Sequence, residues 1–250
     1  MTIADILEEK IKAFVPHCIT PENERLELTL LGLSQIPGAL SKLVKNPIYP
    51  VDVDDLTFDS ANAEKLKTLF DKYGSDKARS NTYHKFYSSI IDETTSNIFE
   101  IGLGTNNPSI PSNMGTGGRP GASLRAFKEF LPNCRIYGAD IDSLILFQEE
   151  RIQTRQVNQL SQESLASLRS WLPPLDLFID DGFHSFAANL NSLVMGIQLT
   201  KPGGWIVIED IKESTFPLWK VVADLCVENN SLLIRAGTGR IFAMQMTVES

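Results

Sequence analysis

From residue 97 onward, short apolar runs that suit buried strands alternate with longer runs that suit helices. Alternation with short connections predicts a parallel sheet that carries helices on both faces. The turn Gly237-Thr238-Gly239 predicts an antiparallel pair at the end of the chain. We therefore predict a doubly wound α/β fold with a mostly parallel, seven-stranded sheet and a C-terminal antiparallel strand. The strand-like runs are 97–104, 135–142, 152–157, 175–179, 205–208, 231–236 and 240–248.

The helices between these strands are predicted from apolar side chains that recur at helical spacing. Helices are expected near residues 121–131, 161–171 and 218–225. A further helix carries an apolar stripe formed by Phe186, Leu190, Leu193, Val194 and Ile197.

The N-terminal third has helical periodicity but no strand pattern, so an N-terminal helical extension is expected. Apolar residues recur at helical spacing within 6–15, 26–33 and 66–70, and Gly74 suits the end of the last helix. Residues 1–73 are predicted to cover a sheet edge, mediate oligomerisation or form a lid, and residues 74–250 to form the ligand-binding domain. The polar and then aromatic stretch 75–87 suits a solvated turn followed by a surface helix.

Composition argues against several kinds of partner. The 23 basic and 31 acidic residues give a net charge of −8, which would repel a phosphate backbone, so nucleic acid is not an expected partner. The sequence shows no signal-peptide pattern, and its apolar runs are all much shorter than the ~20 residues of a membrane span, so no membrane partner is expected. Its three cysteines form no CxxC pair, which favours buried thiols and a cytoplasmic location.

Paired carboxylates end two of the predicted strands. Asp180 and Asp181 close one strand, with His184 three residues further on, and Glu209 and Asp210 close the next. Strands that end at one edge of a sheet can aim these groups into a shared pocket. Mg²⁺ prefers oxygen ligands such as these carboxylates, and a histidine, with its ordinary pKa of ~6.5, can act as a general base. The alternatives are that the Asp180-Asp181 pair caps the following helix and that Glu209-Asp210 is a solvated loop.

A glycine turn follows the first predicted strand. Gly102 and Gly104 would let the backbone approach a ligand, and Asp140 after the second strand could accept both hydroxyls of a ribose. Glu100 begins the turn and would repel a pyrophosphate, and the third glycine of GxGxxG is missing. This disfavours an NAD-dependent oxidoreductase and favours another nucleoside ligand. A turn that only closes a strand–helix connection is the alternative.

These motifs resemble those of the class I S-adenosylmethionine-dependent methyltransferases. Most closely, the chain resembles the sugar O-methyltransferases of macrolide biosynthesis, of the mycinamicin and macrocin type, within about residues 74–211. Two features depart from that pattern: the long loop 105–120, and Phe183 in place of a small polar residue. Both lie near the expected pocket, which leaves room for a different acceptor. The matching motifs are 75–77, 100–104, 121–124, 137–141, 158–159, 179–184 and 202–210.

The resemblance implies a Rossmann-like fold that binds S-adenosylmethionine, and it implies a role for each matching residue. It selects Asp181 as a ligand of Mg²⁺ or another divalent cation together with Glu209 and Asp210, and it leaves Asp180 on the cofactor side or behind the metal ligands. The implied contacts to the cofactor are Glu100, Gly102 and Gly104 at its amino-acid end, Asp140 at the ribose, Asn158 and Gln159 near the adenine, and also Ser123 and Lys77.

The predicted function is that of a Mg²⁺-dependent O-methyltransferase of secondary metabolism. It would move a methyl group from S-adenosylmethionine to a hydroxyl of a small natural product, sugar or polyketide-like, with His184 and Asp181 as catalytic residues. The catechol-type O-methyltransferases look similar at these positions. Two rivals stay open: a related fold with another reaction, as in cephalosporin-hydroxylase-like proteins, and a cofactor-binding module without catalysis.

Overall fold

The computed structural model describes residues 48–226 and 228–248, and the helical patterns at 6–15 and 26–33 lie outside them. The described strands are β1 (Val51–Asp52), β2 (Asn97–Ile101), β3 (Arg135–Asp140), β4 (Gln148–Glu149), β5 (Ile152–Gln156), β6 (Leu175–Asp180), β7 (Thr200–Ile208), β8 (Asn230–Ala236) and β9 (Gly239–Gln245). They form one sheet in the order β1-β8-β9-β7-β6-β2-β3-β5-β4. Seven strands have five residues or more, and two-residue strands extend both edges.

Helices cover both faces of this sheet, as the strand–helix alternation predicts. On one face, Leu66, Phe86 and Phe127 of the first three helices join one apolar core. On the other face, Met195 and Trp219 belong to a second core. The described α-helices are α1 (Ser60–Tyr73), α2 (Tyr83–Ile90), α3 (Ala122–Phe130), α4 (Gln162–Ala166), α5 (Phe186–Leu199) and α6 (Phe216–Leu225).

Among these described helices, none combines the length and the apolar character needed to cross a membrane.

The parallel register brings the candidate site residues to one level. Ile101 at the end of β2 is the partner of Asp180 in β6, and Asp180 is the partner of Ile208 in β7. The residues that follow these strands therefore leave the sheet side by side, and they include Gly102 and Glu209. The C-terminal hairpin of β8 and β9 is antiparallel, with β9 also antiparallel to β7. The predicted fold class is confirmed.

Two predictions about packing were wrong. In α5, Val194 and Ile197 of the expected apolar stripe are 52% and 42% exposed. The buried face of α5 combines small residues such as Gly196 with larger ones such as Leu193 and Met195, and a Cβ on Gly196 would lie 3.0 Å from the Ile206 side chain. The stretch 75–87 is not a solvated turn before a surface helix, because Tyr83 is 1% and Tyr87 0% exposed.

Residues 51–73 share the sheet and the core with the residues that follow them. Strand β1 pairs with β8, and Phe70 of α1 packs edge-on against Phe127 of α3 with ring centroids 5.3 Å apart. The division at residue 73 into a helical segment and a ligand-binding domain stays a prediction.

Candidate active site

The glycine turn after β2 lets two loops pass each other closely. Gly102 has a φ of 95°, and a Cβ there would lie 2.0 Å from the backbone oxygen of Asp181. Only glycine fits where the loops after β2 and β6 meet. Gly104 has a φ of 81° and lies under Met114, whose sulfur would be 2.1 Å from an added Cβ. Close packing on both sides fixes the path of the turn.

A cavity of about 320 Å³ lies beside this turn. Asp140, Asn158 and Gln159, which the resemblance implies as nucleoside contacts, all line it. Its walls also include apolar side chains such as Ile141 and Phe183. Apolar walls with a few convergent polar groups are typical of small-molecule sites.

Asp140 is held in place by backbone N–H groups. It is 6% exposed and accepts hydrogen bonds from the N–H of Leu103 (2.7 Å) and the N–H of Asp142 (2.9 Å). Burial raises the pKa of Asp140, although these N–H groups act in the opposite sense. A carboxylate offers about four lone-pair sites, so capacity remains for ligand hydroxyls.

Asp180 holds the neighbouring loops together. It is fully buried, and its Oδ1 accepts hydrogen bonds from Gln159 Nε2 (2.7 Å) and the N–H of Gly182 (3.1 Å). Its Oδ2 accepts from Asn189 Nδ2 at 2.9 Å. Gln159 Oε1 in turn accepts from the N–H of Phe183 at 2.8 Å. Asp180 therefore positions the cavity wall from behind, and Gln159 is committed to the same network.

A second cavity of about 260 Å³ adjoins the first. The two share Gly102, Gly104, Ser112 and Asp181, so they adjoin in one cleft at the ends of β2 and β6. Several predicted site residues face this second part of the cleft, namely Lys77, Ser123, Asp181, His184 and Asp210.

Three side chains in this cleft form a potential metal-binding group. Donor atoms of Asp181, His184 and Asp210 all lie within 4.8 Å of one another. His184 has a φ of 53° and Asp210 a φ of 52°, the left-handed region that non-glycine residues rarely adopt. Such strained residues cluster at active sites, where the surrounding structure holds them. Glu209, also a predicted ligand, lies beside this group of three and outside it.

The surroundings of His184 favour its neutral form. Its Nε2 lies 4.0 Å from Asp181 Oδ1, and its buried Nδ1 has no hydrogen-bond partner among the described residues. Burial lowers the pKa of His184, although Asp210 and Asp180 act in the opposite sense. The lowered pKa favours the neutral imidazole, which is the form that can accept a proton.

Lys77, which the resemblance implies as a cofactor contact, lies among the acids. Its side chain is 1% exposed, and its Nζ lies 2.6 Å from Asp181, 2.5 Å from Glu209 and 3.1 Å from Glu100. Burial alone would lower the pKa of Lys77, but Asp181, Glu100 and Glu209 overcome it and raise the pKa well above its usual value. The ammonium group is therefore charged and ties three strand ends together.

Two tyrosines of α2 complete the acid cluster, and neither was predicted from the sequence. Tyr83 donates a hydrogen bond to Asp210 at 2.5 Å, and Tyr87 donates one to Glu209. Their spacing of four residues places both hydroxyls on one face of the helix, which is the signal that could have identified them. Burial raises the pKa of Glu209 to about 8, against the opposing effect of Lys77.

Glu100 lies beneath the cleft. It is fully buried, and its Oε2 accepts a hydrogen bond from Ser123 Oγ at 2.6 Å. Its Oε1 is close enough to Lys77 for an ion pair but is not aligned for a hydrogen bond. Ser123, and not Glu100, presents its side chain to the second cavity.

The ionised cluster would carry excess negative charge. Lys77 pairs with Glu100, Asp181 and Glu209, and Asp210 lies beside Asp181, so four ionised carboxylates would exceed the charge of this lysine by three. Buried charges need partners or metal ions, and otherwise they shift their pKa and become neutral. The donor set therefore suits cationic ligands.

The loop 105–120 covers the cleft from outside. Ile110 and Ser112 line the first cavity, and Ser112 and Met114 line the second. Ser112 Oγ donates to the backbone oxygen of Phe183 at 3.1 Å, and the N–H of Met114 donates to Thr105 at 2.8 Å. The two departures from the family pattern thus contact each other at the pocket.

The chain is similar to curated O-methyltransferases, although no family model matches it. It is 28% identical over 183 residues to the 8-demethyl-8-alpha-L-rhamnosyl tetracenomycin-C 2'-O-methyltransferase of Streptomyces olivaceus, covering 71% of this chain and 46% of that protein. It is 38% identical over 97 residues to the mycinamicin VI 2''-O-methyltransferase of Micromonospora griseorubida, covering 39% of this chain and 24% of that protein. The chain thus spans less than half the length of these relatives.

Among solved structures, the chain is also similar to an O-methyltransferase of this type. The MycE methyltransferase from the mycinamycin biosynthetic pathway, in complex with Mg and SAH, superposes with a TM-score of 0.59 at 26% identity, covering 74% of this chain and 56% of that chain. A second complex of MycE with Mg, SAH and mycinamycin VI has a TM-score of 0.59 at 25% identity, over 73% of this chain and 53% of that one. The resemblance predicted from the motifs is therefore confirmed: the chain is similar to the mycinamicin-type O-methyltransferases and has the fold of the class I S-adenosylmethionine-dependent methyltransferases.

Proposed function

We propose that the protein is a Mg²⁺-dependent O-methyltransferase that moves a methyl group from S-adenosylmethionine to a hydroxyl of a small natural product. One observation carries the proposal. A cavity of about 320 Å³ adjoins a second cavity that is lined by Asp181, His184 and Asp210, which form the potential metal-binding group. The free thiols of Cys134 and Cys226 agree with a reducing, cytoplasmic location.

The acids fit a divalent cation together with a sulfonium. Three uncompensated negative charges in the cluster would match the two charges of Mg²⁺ and the one of S-adenosylmethionine. Asp181, Glu209 and Asp210 would hold the metal, since oxygen donors are those that Mg²⁺ prefers. When bound, Mg²⁺ would supply charge that lowers the pKa of a nearby hydroxyl.

The glycine turn and its cavity fit the nucleoside. Asp140 would accept the ribose hydroxyls, with Asn158 and Gln159 beside the adenine and the Gly102–Gly104 turn and Ser123 at the amino-acid end. Glu100, behind Ser123, would contribute charge there. S-adenosylmethionine would supply the electrophilic methyl group.

His184 would act as the general base. As the acceptor oxygen forms its bond to the methyl carbon and the carbon–sulfur bond breaks, the hydroxyl proton would pass to the neutral imidazole. Alignment of the two reactants is itself a large part of the lowering of the barrier. Asp181 and Lys77 would keep the acid cluster in place beneath the reacting atoms.

The cofactor class can be tested by calorimetry. We expect S-adenosylmethionine to release heat on binding and NAD to release none. In an activity assay, added Mg²⁺ should support methyl transfer to a glycosylated macrolide such as mycinamicin VI, and EDTA should abolish the transfer. No binding of S-adenosylmethionine would refute the proposal. Binding without transfer to any of a panel of glycosylated polyketides would favour the non-catalytic module.

Replacing His184 by alanine should slow methyl transfer and change its pH dependence. Because burial lowers the pKa of His184, the wild-type rate should rise with pH and level off below the usual histidine pKa of 6.5. Loss of a positioned base typically costs ~100- to 10,000-fold. The pH–rate profile checks this. His84→Gln is the matched control, since His84 is a buried histidine of α2 outside the two cavities. A His184→Ala profile that kept the acid limb would refute the assignment.

A further inference from the structure

Lys77 lies between the second cavity and one of the predicted metal ligands. Lys77 is among the residues that line this cavity, together with Asp181, His184 and Asp210. Glu209 is 1% exposed and is not part of that lining, and its Oε2 lies 2.5 Å from Lys77 Nζ. Of these two residues, the lysine is therefore the one that borders the space a metal ion would enter.

The lysine also occupies carboxylate oxygens that a metal ion would use. Its Nζ lies 2.6 Å from Asp181 Oδ2, and Tyr87 donates a hydrogen bond to Oε1 of Glu209. Both oxygens of Glu209 are thus engaged by side chains of this protein. Mg²⁺ lies ~2.1 Å from its oxygen ligands. An ion on these oxygens would be within a few ångströms of the ammonium group, where like charges in a buried site repel strongly. Lys77 and a bound cation therefore compete for Asp181 and Glu209.

Glu100 offers the ammonium group a second position. It is fully buried, and its Oε1 lies 3.1 Å from Lys77 Nζ but has no hydrogen-bond partner among the described residues. Its other oxygen accepts a hydrogen bond from Ser123 Oγ at 2.6 Å, which holds the carboxylate in place. A buried acceptor without a partner costs free energy. A lysine released from Asp181 and Glu209 thus has an unused oxygen within reach.

The backbone around Lys77 is fixed, so the exchange needs a movement of the side chain alone. The N–H of His84 donates to the Lys77 backbone oxygen at 3.4 Å, and the N–H of Lys77 donates to Ser75 Oγ at 3.4 Å. The N–H of Arg79 donates to the Asp76 backbone oxygen at 3.0 Å. Because a lysine carries its charge at the end of a flexible stem, the ammonium group can turn while the loop stays in place.

We propose that Lys77 is an internal counter-cation that exchanges with the metal ion. In the metal-free protein it bridges Asp181 and Glu209 and keeps these acids from repelling each other. When a divalent cation binds, the ammonium group turns to Glu100 Oε1 and releases both carboxylates. Breaking the two ion pairs lowers the affinity of the site for the cation. This inference rests on the proposed function and adds to it a positioning residue that controls when the acids are free to hold a metal.

Metal titration followed by electron paramagnetic resonance of Mn²⁺ tests the competition. Lys77→Met removes the competing charge and leaves Asp181 and Glu209 in place. We expect the full chain with this change to bind Mn²⁺ roughly tenfold more tightly than wild type, within the ~5- to 150-fold range typical of coupled equilibria. Lys72→Met removes an exposed lysine paired with Glu129 and is the matched control, with unchanged affinity. Equal or weaker binding by Lys77→Met would overturn the exchange, because the lysine would then only support the site.

A crystal structure of the wild type with Mn²⁺ keeps the test decisive even if Lys77→Met fails to fold. The anomalous scattering of Mn²⁺ locates the ion. We expect Lys77 Nζ within hydrogen-bond distance of Glu100 Oε1 and outside that distance from Glu209 Oε2. An ion bound in the second cavity while the lysine still bridges Asp181 and Glu209 would contradict the proposal.

Calorimetry separates failure of this inference from failure of the proposed function. If the wild type binds S-adenosylmethionine and Mn²⁺ and the lysine stays in place, the exchange is wrong while the methyltransferase proposal stands. If the wild type binds neither S-adenosylmethionine nor Mn²⁺, the proposed function fails, and the exchange fails with it.

Discussion

Replacing Asp181 by asparagine is expected to lower the rate of methyl transfer by roughly 1,000-fold or more. Asp181 lines both parts of the cleft and lies 2.6 Å from Lys77 and 4.0 Å from His184. A metal ion supplies several kcal/mol of charge stabilisation in a transition state, and each ~1.4 kcal/mol is tenfold in rate. Asparagine keeps the shape but removes the charge that would hold the ion. Single-turnover rates with saturating S-adenosylmethionine measure the loss.

A readout besides activity makes this test specific. Titration with Mn²⁺, followed by electron paramagnetic resonance, should show weaker metal binding in Asp181→Asn. Affinity for S-adenosylmethionine should change little, because Asp140, Asn158 and Gln159, the proposed nucleoside contacts, remain. Asp71→Asn, at an exposed position of α1, is the matched control and should behave as wild type. Normal turnover of Asp181→Asn in EDTA would refute the metal assignment.

The arrangement of the strand ends could be predicted from the sequence because it depends on local patterns. Apolar runs that stop at Asp180 and at Glu209 mark buried strands, and parallel strands end at one edge of the sheet. The observed register, with Asp180 opposite both Ile101 and Ile208, follows from that rule. The glycine turn was predicted for the same reason, since positive φ and close approach restrict a position to glycine.

The partners of these acids could not be predicted in the same way. Lys77 is 104 residues from Asp181 and 132 residues from Glu209 in the chain. Contacts at such separations depend on how α2 and the loop before it pack on the sheet, and no periodicity reports that. Periodicity likewise did not indicate which side of α5 packs on the sheet, since Val194 is exposed while Ser192 and Gly196 are buried.

Replacing Lys77 by methionine is expected to destabilise the fold strongly. The change keeps much of the side-chain volume but leaves Glu100, Asp181 and Glu209 without their buried cation. Breaking a buried ion pair by removing one partner costs ~3–5 kcal/mol, and in a domain of this size each kcal/mol shifts Tm by ~2–4 °C. The melting temperature of the metal-free protein should therefore fall by roughly 10 °C. Calorimetric or circular-dichroism melts in EDTA measure it.

The pH dependence of this loss distinguishes charge from packing. Burial already raises the pKa of Asp181 and of Glu209, and removal of Lys77 should raise both further. When an acid has a higher pKa in the folded state than in the unfolded state, the protein loses stability as the pH rises from the lower of these pKa values through the higher. Lys77→Met should therefore be more destabilised at pH 8 than at pH 5, and added Mg²⁺ should restore part of the difference. Lys72→Met removes an exposed lysine paired with Glu129 at 2.5 Å and should leave Tm nearly unchanged at both pH values. An equal loss at pH 5 and pH 8 would mean that Lys77 acts through packing alone.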